Sequence, residues 1–245
     1  MPDDLTVVHV YPELLGTYGD RGNLLALVHR AEARGLRCRV VEVAVDAALP
    51  RLADVYVVGG GEDSAQLLAA RALLADRQAP VVLGAHPTLA VCAGLQLLAR
   101  SFEDGQGRVH RGLGLLDVTC GRLPERAVGE VVSEPVGLDL PTLTGYENHS
   151  GTAELHDGAE PLGRLVAGTG NGDGRSEGVQ QGHVLATYLH GPVLVRNPAL
   201  ADLLLTRAAG PLAPYDDPDV DRLRAERLDA ADPRRHPTLR NLLGG

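Results

Sequence analysis

Residues 88–98 read TLAVCAGLQLL, and this stretch decides the fold class. Thr88–Val91 is a short apolar run typical of a buried strand, and Gly94 opens a second apolar segment with helical spacing. Cys92 lies between the two. A residue on such a strand–turn–helix connection is pushed out of the sheet. The stretch therefore predicts an α/β sheet that presents a cysteine at the end of one strand.

The sequence before this stretch alternates between strand and helix signals. Short β-branched or apolar runs alternate with longer segments in which apolar residues recur at helical spacing. Strands separated by helices of this length pair in parallel through right-handed crossovers. We predict strands at residues 5–11, 38–43 and 55–58 and helices at residues 23–34 and 63–74, the second capped by Asp63 or Ser64, while residues 80–86 fit either a strand or a helical turn.

The second half of the chain has a different pattern. Between residues 112 and 191, short Val, Leu and Thr runs are separated by Gly, Pro, Asp and Asn, which predicts antiparallel strands and hairpins. Residues 185–189 form a further apolar strand that ends at His190. Two more helices are predicted, at residues 197–208 and 217–231.

Together these patterns predict a single α/β domain. Its central sheet is mostly parallel and flanked by helices, and antiparallel hairpins make up the second half. We assign residues 1–210 to this domain and residues 211–245 to a C-terminal helical extension and tail packed on it.

The composition of the 245 residues excludes several kinds of activity. All 23 basic residues are arginine, so the chain contains neither a complete GxxxxGK[ST] nucleotide loop nor a lysine that could form a Schiff base. The formal net charge of −9 disfavours sequence-independent binding to nucleic acid. No stretch approaches 18 apolar residues and the first residues lack the pattern of a signal peptide, so we expect no membrane span.

The cysteines and histidines are spaced in a way that points to a thiol nucleophile. The three cysteines, Cys38, Cys92 and Cys120, are odd in number and form no CxxC pair, which is typical of a reduced cytoplasm. The cysteines and histidines lack metal-ligand spacing, so no metal site is predicted. A GxSxG serine motif is also missing from the sequence.

Cys92 is the candidate nucleophile. A cysteine in an apolar run is usually a small buried hydrophobe, but Gly94 and the polar Gln96 favour a catalytic elbow here. The start of the following helix should favour the thiolate. The backbone N–H of Ala93 would then point towards an oxyanion formed on a carbonyl group bound at Cys92.

His190 is the candidate general base. It follows a predicted strand, and parallel sheets collect functional groups at the carboxyl ends of their strands, where Cys92 would also lie. A second oxyanion donor is expected from Gly60 or Gly61, because glycine lets the backbone approach a ligand closely. A simple tight turn is an equally good interpretation of the three consecutive glycines.

In combination, these features resemble the class I glutamine amidotransferases. The family's Cys-x-Gly-x-Gln elbow is matched by Cys92, Gly94 and Gln96, its basic histidine by His190, and its oxyanion loop by VGGGEDSAQ at residues 58–66. Most members carry Glu two residues after the histidine, where this chain has Pro192. The acid of the catalytic triad is therefore missing from its usual place.

Further segments resemble the cobyric-acid-synthase-like branch of this family, which includes small stand-alone glutaminase subunits. The resemblance implies that Arg126, with Gln96, binds glutamine, and that Arg126 takes the substrate carboxylate. A surface arginine is an equally good interpretation of Arg126. The matching segments are YPELLGTYGDRGN (residues 11–23), ERAVGE (125–130), GYENHSG (145–151), NGDGRSEGV (171–179) and TYLHGPVLVRNP (187–198).

The resemblance also implies a reaction and a partner. Cys92 would attack the side-chain amide of L-glutamine and form a glutamyl thioester, with His190 moving the proton. This chain would need no cofactor of its own. A Mur-ligase-like synthetase would bind ATP, Mg²⁺ and lipid II, form a heterodimer with this chain, and amidate the α-carboxyl of the lipid II D-glutamate with the released ammonia.

Two parts of this interpretation have alternatives: the source of the acid that supports His190, and the molecule that accepts the ammonia. The synthetase would supply the acid, with Asp20 as the candidate within this chain. The ammonia could instead serve another acceptor, such as a corrinoid. A non-catalytic binding subunit that keeps the elbow without using it is the more distant alternative.

Overall fold

The computed structural model describes residues 4–17 and 19–235. Its helices and strands, in chain order, are β1 (Asp4–Val10), α1 (Arg21–Glu32), β2 (Arg37–Val43), β3 (Val55–Val58), α2 (Asp63–Ala75), α3 (Ala79–Ala85), β4 (Thr88–Val91), α4 (Ala93–Leu98), β5 (Ser101–Glu103), β6 (Val109–Arg111), β7 (Val118–Cys120), β8 (Arg122–Pro135), β9 (Leu143–Gly151), β10 (Glu154–Leu155), β11 (Gly163–Ala167), β12 (Ser176–Glu177), β13 (Val179–Gln181), β14 (Val184–Thr187), α5 (Val193–Arg196), α6 (Pro198–Ala209) and α7 (Pro218–Ala231).

The central sheet has six strands in the order β13-β14-β4-β3-β1-β2. All neighbours pair in parallel except β13, which runs antiparallel to β14 at the edge. Every residue of β3, β4 and β14 is buried, which is why these strands read as continuous apolar runs in the sequence. The predicted α/β class with a mostly parallel sheet is confirmed.

Two smaller sheets complete the second half of the chain. Their orders are β10-β7-β5-β6 and β12-β11-β8-β9, and they are antiparallel apart from the β5–β7 pair. The long β8–β9 hairpin reaches the central sheet through an isolated bridge between Tyr146 and His190, whose backbone N–H and C=O groups bond to each other at 2.8 and 3.1 Å. This bridge brings the hairpin beside the carboxyl end of β14.

Three local details settle or correct the sequence prediction. Of the undecided residues 80–86, residues 80–85 are helical and form most of α3, with Pro80 in its first turn, while His86 is extended. Helix α2 has Glu62 as its N-cap, because the Asp63 carboxylate accepts the Gly105 N–H at 2.9 Å instead of capping the helix. His190 lies three residues beyond the end of β14, in the turn that leads to the bridge with Tyr146.

The segment before helix α7 is held by a cluster on α1 and α6, while the helix itself has Leu228 as its one buried residue. Asp202 of α6 accepts Arg30 of α1 and Arg34, which lies two residues after α1, at 2.7 and 2.8 Å. Both guanidinium groups lie over the ring of Tyr215, 5.2 and 5.3 Å from its centre. The segment before α7 is therefore fixed on α1 and α6. Across residues 4–17 and 19–235, none of the helices has the length and hydrophobicity needed to span a bilayer.

Candidate active site

Cys92 occupies a strained turn between β4 and α4. Its φ of 52° and ψ of −106° place a non-glycine residue in the left-handed half of the map, which is the signature of a nucleophile elbow. The turn needs Gly94, because a Cβ there would lie 2.3 Å from the Val58 carbonyl oxygen. The Cys92 N–H donates to the Thr187 carbonyl at 2.8 Å, so β14 also holds the elbow.

The glycine triplet after β3 packs against the loop that follows β1. A Cβ on Gly59 would lie 2.0 Å from the Leu15 carbonyl oxygen, and one on Gly61 would lie 2.5 Å from the Leu14 carbonyl oxygen. Both glycines are thus required by close backbone contact. This loop also carries Asp20, at the start of α1, into the site.

Three candidate residues meet around Gly60. A Cβ built there would be 3.2 Å from His190 Cε1 and 3.5 Å from both Asp20 Oδ2 and Cys92 Cβ. The structure therefore brings Cys92, His190 and Asp20 together at the carboxyl ends of the strands. The Gly60 N–H donates to Asp20 Oδ2 at 2.8 Å, so in this state it is not open to a substrate oxygen. Gly61 lines the cleft above Cys92.

Burial controls the protonation of Cys92. It raises the pKa of Cys92 to about 12, with Asp20 acting in the same direction, and it outweighs the Ala93 N–H bond and the charge of Arg126. The bond from the Ala93 amide at the helix start lowers the pKa of the thiol, as expected, but burial has the larger effect in this state. The resting residue is a thiol, which needs a base.

His190 and Asp20 are shifted in ways that suit a proton-transfer site. Burial lowers the pKa of His190 to about 4, helped by the positive fields of His149 and Arg126, so the ring is neutral and can accept a proton. Burial raises the pKa of Asp20 to about 6, against the Gly60 N–H bond.

A polar cleft of about 140 Å³ opens over Cys92. Arg126 is exposed but lines this cleft, where its Nε donates to Asn148 Oδ1 at 2.6 Å. The lining carries groups of both signs, as a zwitterionic ligand requires: the cations Arg122 and Arg126, and the carboxylates Glu62, Asp63 and Glu103.

Gln96, the last residue of the elbow motif, is fixed by neighbours that the sequence interpretation missed. Its carbonyl oxygen accepts the Gln66 amide at 2.7 Å, and its own amide donates to the Tyr188 hydroxyl at 3.3 Å. Gly151 leaves room for this arrangement, because a Cβ there would lie 2.0 Å from Gln96 Nε2.

Glu147, which pairs with the buried His149, was also missed. His149 lines the cleft, stacks on Tyr188 with ring centres 4.0 Å apart, and places Nε2 3.5 Å from Glu147 Oε2. Burial alone would raise the pKa of Glu147, but bonds from His149 and from the backbone of Gly170 and Thr169 outweigh it and lower that pKa. The two residues alternate on one face of β9, a spacing visible in GYENHSG.

Glu177 supports the turn that carries His190. Fully buried, it accepts the Thr187 hydroxyl at 2.5 Å and the Tyr188 N–H at 3.0 Å. Burial raises its pKa to about 7. As for metals, no group of three or more histidine, cysteine or carboxylate side chains is arranged to hold one within the described part of the chain.

Comparisons with known proteins agree with the geometry. The family model of the CobB/CobQ-like glutamine amidotransferase domain matches residues 6–198. The chain is 35% identical over 212 residues to the lipid II isoglutaminyl synthase (glutamine-hydrolyzing) subunit GatD of Streptococcus pneumoniae, covering 84% of this chain and 81% of that protein. Identity to the Staphylococcus aureus GatD is 32% over 223 residues, covering 89% and 90%.

More distant matches share part of the length or the fold alone. The cobyric acid synthase of Brucella canis is 37% identical over 161 residues, which cover 62% of this chain and 32% of that protein. A crystal structure of a glutamine amidotransferase from Thermotoga maritima superposes with a TM-score of 0.53 at 16% identity, covering 91% of this chain and 93% of that one. With 193 residues matched by the family model (198 − 6 + 1) and GatD relatives above 30% identity, this chain belongs to the CobB/CobQ-like glutamine amidotransferase family of enzymes.

Proposed function

We propose that this chain hydrolyses L-glutamine through a Cys92 thioester and supplies the ammonia to a synthetase subunit. Cys92 Sγ attacks the side-chain amide carbon while His190 takes the thiol proton. The C–N bond then breaks, His190 returns the proton to the leaving nitrogen, and ammonia departs from a glutamyl thioester. Water, deprotonated by His190, cleaves the thioester to glutamate and restores the thiol. A positioned base contributes roughly 10²–10⁴-fold to such steps.

The oxyanion of each tetrahedral intermediate would be bound by backbone amides. The Ala93 N–H is already directed at the sulfur, and Gly61 lines the same cleft. The Gly60 N–H would join them when Asp20 withdraws from it. Each donor is worth roughly 3 kcal/mol of transition-state stabilisation.

The cleft also supports the choice of substrate. An amino acid carries an α-carboxylate and an α-ammonium group, and the cleft presents both arginines and carboxylates. We assign the α-carboxylate to Arg126, which Asn148 holds in place, and the α-ammonium to the acidic side of the cleft. Gln96 contacts the substrate beside the elbow.

The approach of Cys92, His190 and Asp20 around Gly60 is the observation that carries this proposal. Its test is glutamate release by a C92S variant, with C38S as the matched control at a cysteine remote from the cleft. We expect C92S to lose roughly 10³-fold or more in kcat and C38S to keep its rate. Glutaminase activity retained in C92S would refute the thioester mechanism.

The acceptor is proposed from the relatives. Because GatD proteins resemble this chain over most of both lengths, we assign it as the glutaminase subunit of a lipid II isoglutaminyl synthase that acts in peptidoglycan synthesis. A Mur-ligase-like subunit would bind ATP, Mg²⁺ and lipid II and convert D-glutamate to D-isoglutamine. Two features support a cytoplasmic heterodimer: the three cysteines are free, and the chain lacks a lysine-containing nucleotide loop. Residues 1–210 form the glutaminase unit and 211–245 its extension, of which 236–245 lie outside the described residues.

We further propose that the partner supplies an acid to His190. Pro192 stands where most class I members have glutamate, and it packs on Gly22, where a Cβ would come within 2.2 Å of Pro192 Cγ. The glutaminase rate of the isolated chain should therefore rise on addition of the synthetase. Equal rates with and without the partner would point to Asp20 instead, and a D20N variant would then lose activity in the isolated chain.

A further inference from the structure

Two adjoining clefts lie on the face formed by α1, α5 and α7, which we call the α1–α7 face. One cleft, of about 340 Å³, lies between α7 and the β8–β9 hairpin. The other, of about 270 Å³, lies between α1 and α5. Both are lined by Val195 and Val220, so they form one continuous surface.

The first cleft is positively charged in a chain whose net charge is −9. Arg196, Arg224 and Arg227 line it, against the single carboxylate of Glu130. Arg196 Nη2 bonds to Glu130 at 2.5 Å, and Arg224 Nη2 bonds to the Thr142 carbonyl. Three guanidinium groups set against one carboxylate leave an excess of positive charge in this cleft. Such an excess suits a carboxylate ligand.

The second cleft is mainly apolar. Leu25, Leu194 and Pro198 line it together with the two shared valines. Several large hydrophobic side chains of this face are exposed to solvent: Leu25 by 59%, Leu223 by 54% and Val195 by 42%. Such a cluster marks an interaction surface rather than ordinary scattered exposure.

The face rests directly on the loops that carry the catalytic groups. Gly191, the residue after His190, lines the arginine cleft, and Gly22, two residues after Asp20, lines the apolar one. Pro192 and Gly22, both half-buried, pack against each other. A partner protein bound here would therefore contact the backbone next to His190 and the backbone close to Asp20, without entering the substrate cleft.

We infer that the α1–α7 face is the docking surface for the synthetase subunit, and that it receives an acidic side chain in the arginine cleft and an apolar side chain in the neighbouring one. The inference rests on the proposed function, which supplies the partner. Charge complementarity identifies the acidic occupant, because an acidic segment is repelled by the chain's net charge of −9 and attracted by the three arginines of this cleft. Such an arrangement fixes orientation and accelerates encounter.

The test measures binding of the purified Mur-ligase-like synthetase to this chain at several salt concentrations. We expect the R224E/R227E variant to bind about 100-fold more weakly and with a smaller salt dependence, and L25D to bind at least 10-fold more weakly. R222E is the matched control on the same helix, and L52D is the control for an exposed leucine that lines neither cleft. Both controls should bind like the wild type.

The outcomes separate this inference from the proposed function. Wild-type affinity in R224E/R227E and L25D would overturn the docking surface while leaving the partner in place. A wild-type chain that binds no synthetase would overturn both. If the variants lose self-association but still bind the synthetase, the face belongs to an interface with a second copy of this chain. That result would also overturn the inference. If the double variant does not fold, R227E alone keeps the test, because Arg227 is exposed.

Discussion

Gly60 lacks a side chain at the point where Cys92, His190 and the buried Asp20 approach one another. A methyl group there would lie 3.2 Å from His190 Cε1, tighter than an ordinary contact, and 3.5 Å from Cys92 Cβ. Gly59 meets backbone instead, because its Cβ would lie 2.0 Å from the Leu15 carbonyl oxygen. Adjacent glycines are thus needed for different reasons, one for the site and one for the fold.

Alanine substitutions at these two glycines should separate activity from stability. We expect G60A to fold with a nearly unchanged Tm but to lose roughly 10–100-fold in kcat for glutamine hydrolysis, because a displaced imidazole misaligns proton transfer. G59A should instead lose stability, since the opposing carbonyl cannot yield without moving the loop. Thermal unfolding and steady-state kinetics on both variants check this. Full activity in G60A would show that the close approach has no catalytic consequence.

The candidate residues that the sequence revealed are those next to turn-forming neighbours. Cys92 is followed by Gly94, and His190 by Gly191 and Pro192, so their positions are visible locally. Glu147 and Glu177 were missed because their partners lie far along the chain or on another strand. Glu147 accepts amides at residues 169 and 170, and no local pattern encodes such a pairing.

At the scale of elements, the turn between β14 and His190 depends on a buried carboxyl group. Glu177 of β12 accepts both the Thr187 hydroxyl and the Tyr188 N–H, which sets the path of the chain to His190. This arrangement places the carboxyl group in a fully buried position, and burial raises its pKa from 4.5 to about 7.

This shift makes the stability depend on pH in a defined direction. Because the folded pKa of Glu177 lies above the unfolded one, the folded state holds a proton that the unfolded chain releases, so this group destabilises the fold as pH rises from 4.5 towards 7. The decrease in the free energy of unfolding reaches roughly 3 kcal/mol above pH 7 and is zero below pH 4.5.

An E177Q variant removes that titration while keeping an acceptor oxygen. Relative to wild type, its free energy of unfolding should be higher above pH 7 than below pH 4.5, measured by urea denaturation at both ends of the range. E226Q, at an exposed glutamate on α7, should show no such difference. A pH-independent effect of E177Q would mean that the pKa of Glu177 is the same in the folded and unfolded states, which would contradict the prediction.

The elements that the sequence predicted are those with a clear apolar run or period. Thr88–Val91 and Val55–Val58 were read correctly because buried parallel strands are apolar on both faces. Residues 80–86 could not be decided, because PVVLGAH is a short and mostly apolar run that fits a buried strand as well as a helix. The α2 cap was misplaced because Asp63 is used by Gly105, more than forty residues away.

For the whole molecule, the proposed function predicts which product receives the amide nitrogen of glutamine. With glutamine labelled at the amide nitrogen, ATP, the synthetase and lipid II, the label should appear in D-isoglutamine, as read by mass spectrometry of the stem peptide. C92A should abolish this transfer, and added ammonium salt should restore amidation by bypassing the thioester. Transfer of the label to a corrinoid but not to lipid II would instead assign the chain to the other acceptor.

The elbow depends on parts of the chain that are far apart in sequence. Gly94 packs on the carbonyl that ends β3, and the Cys92 N–H is bound by Thr187, 95 residues later (187 − 92). During synthesis, therefore, the ribosome releases the cysteine long before the strand that fixes its backbone. A nascent or truncated chain that stops before β14 carries the thiol but not the geometry, so we expect glutamine hydrolysis to begin only once the sheet is complete.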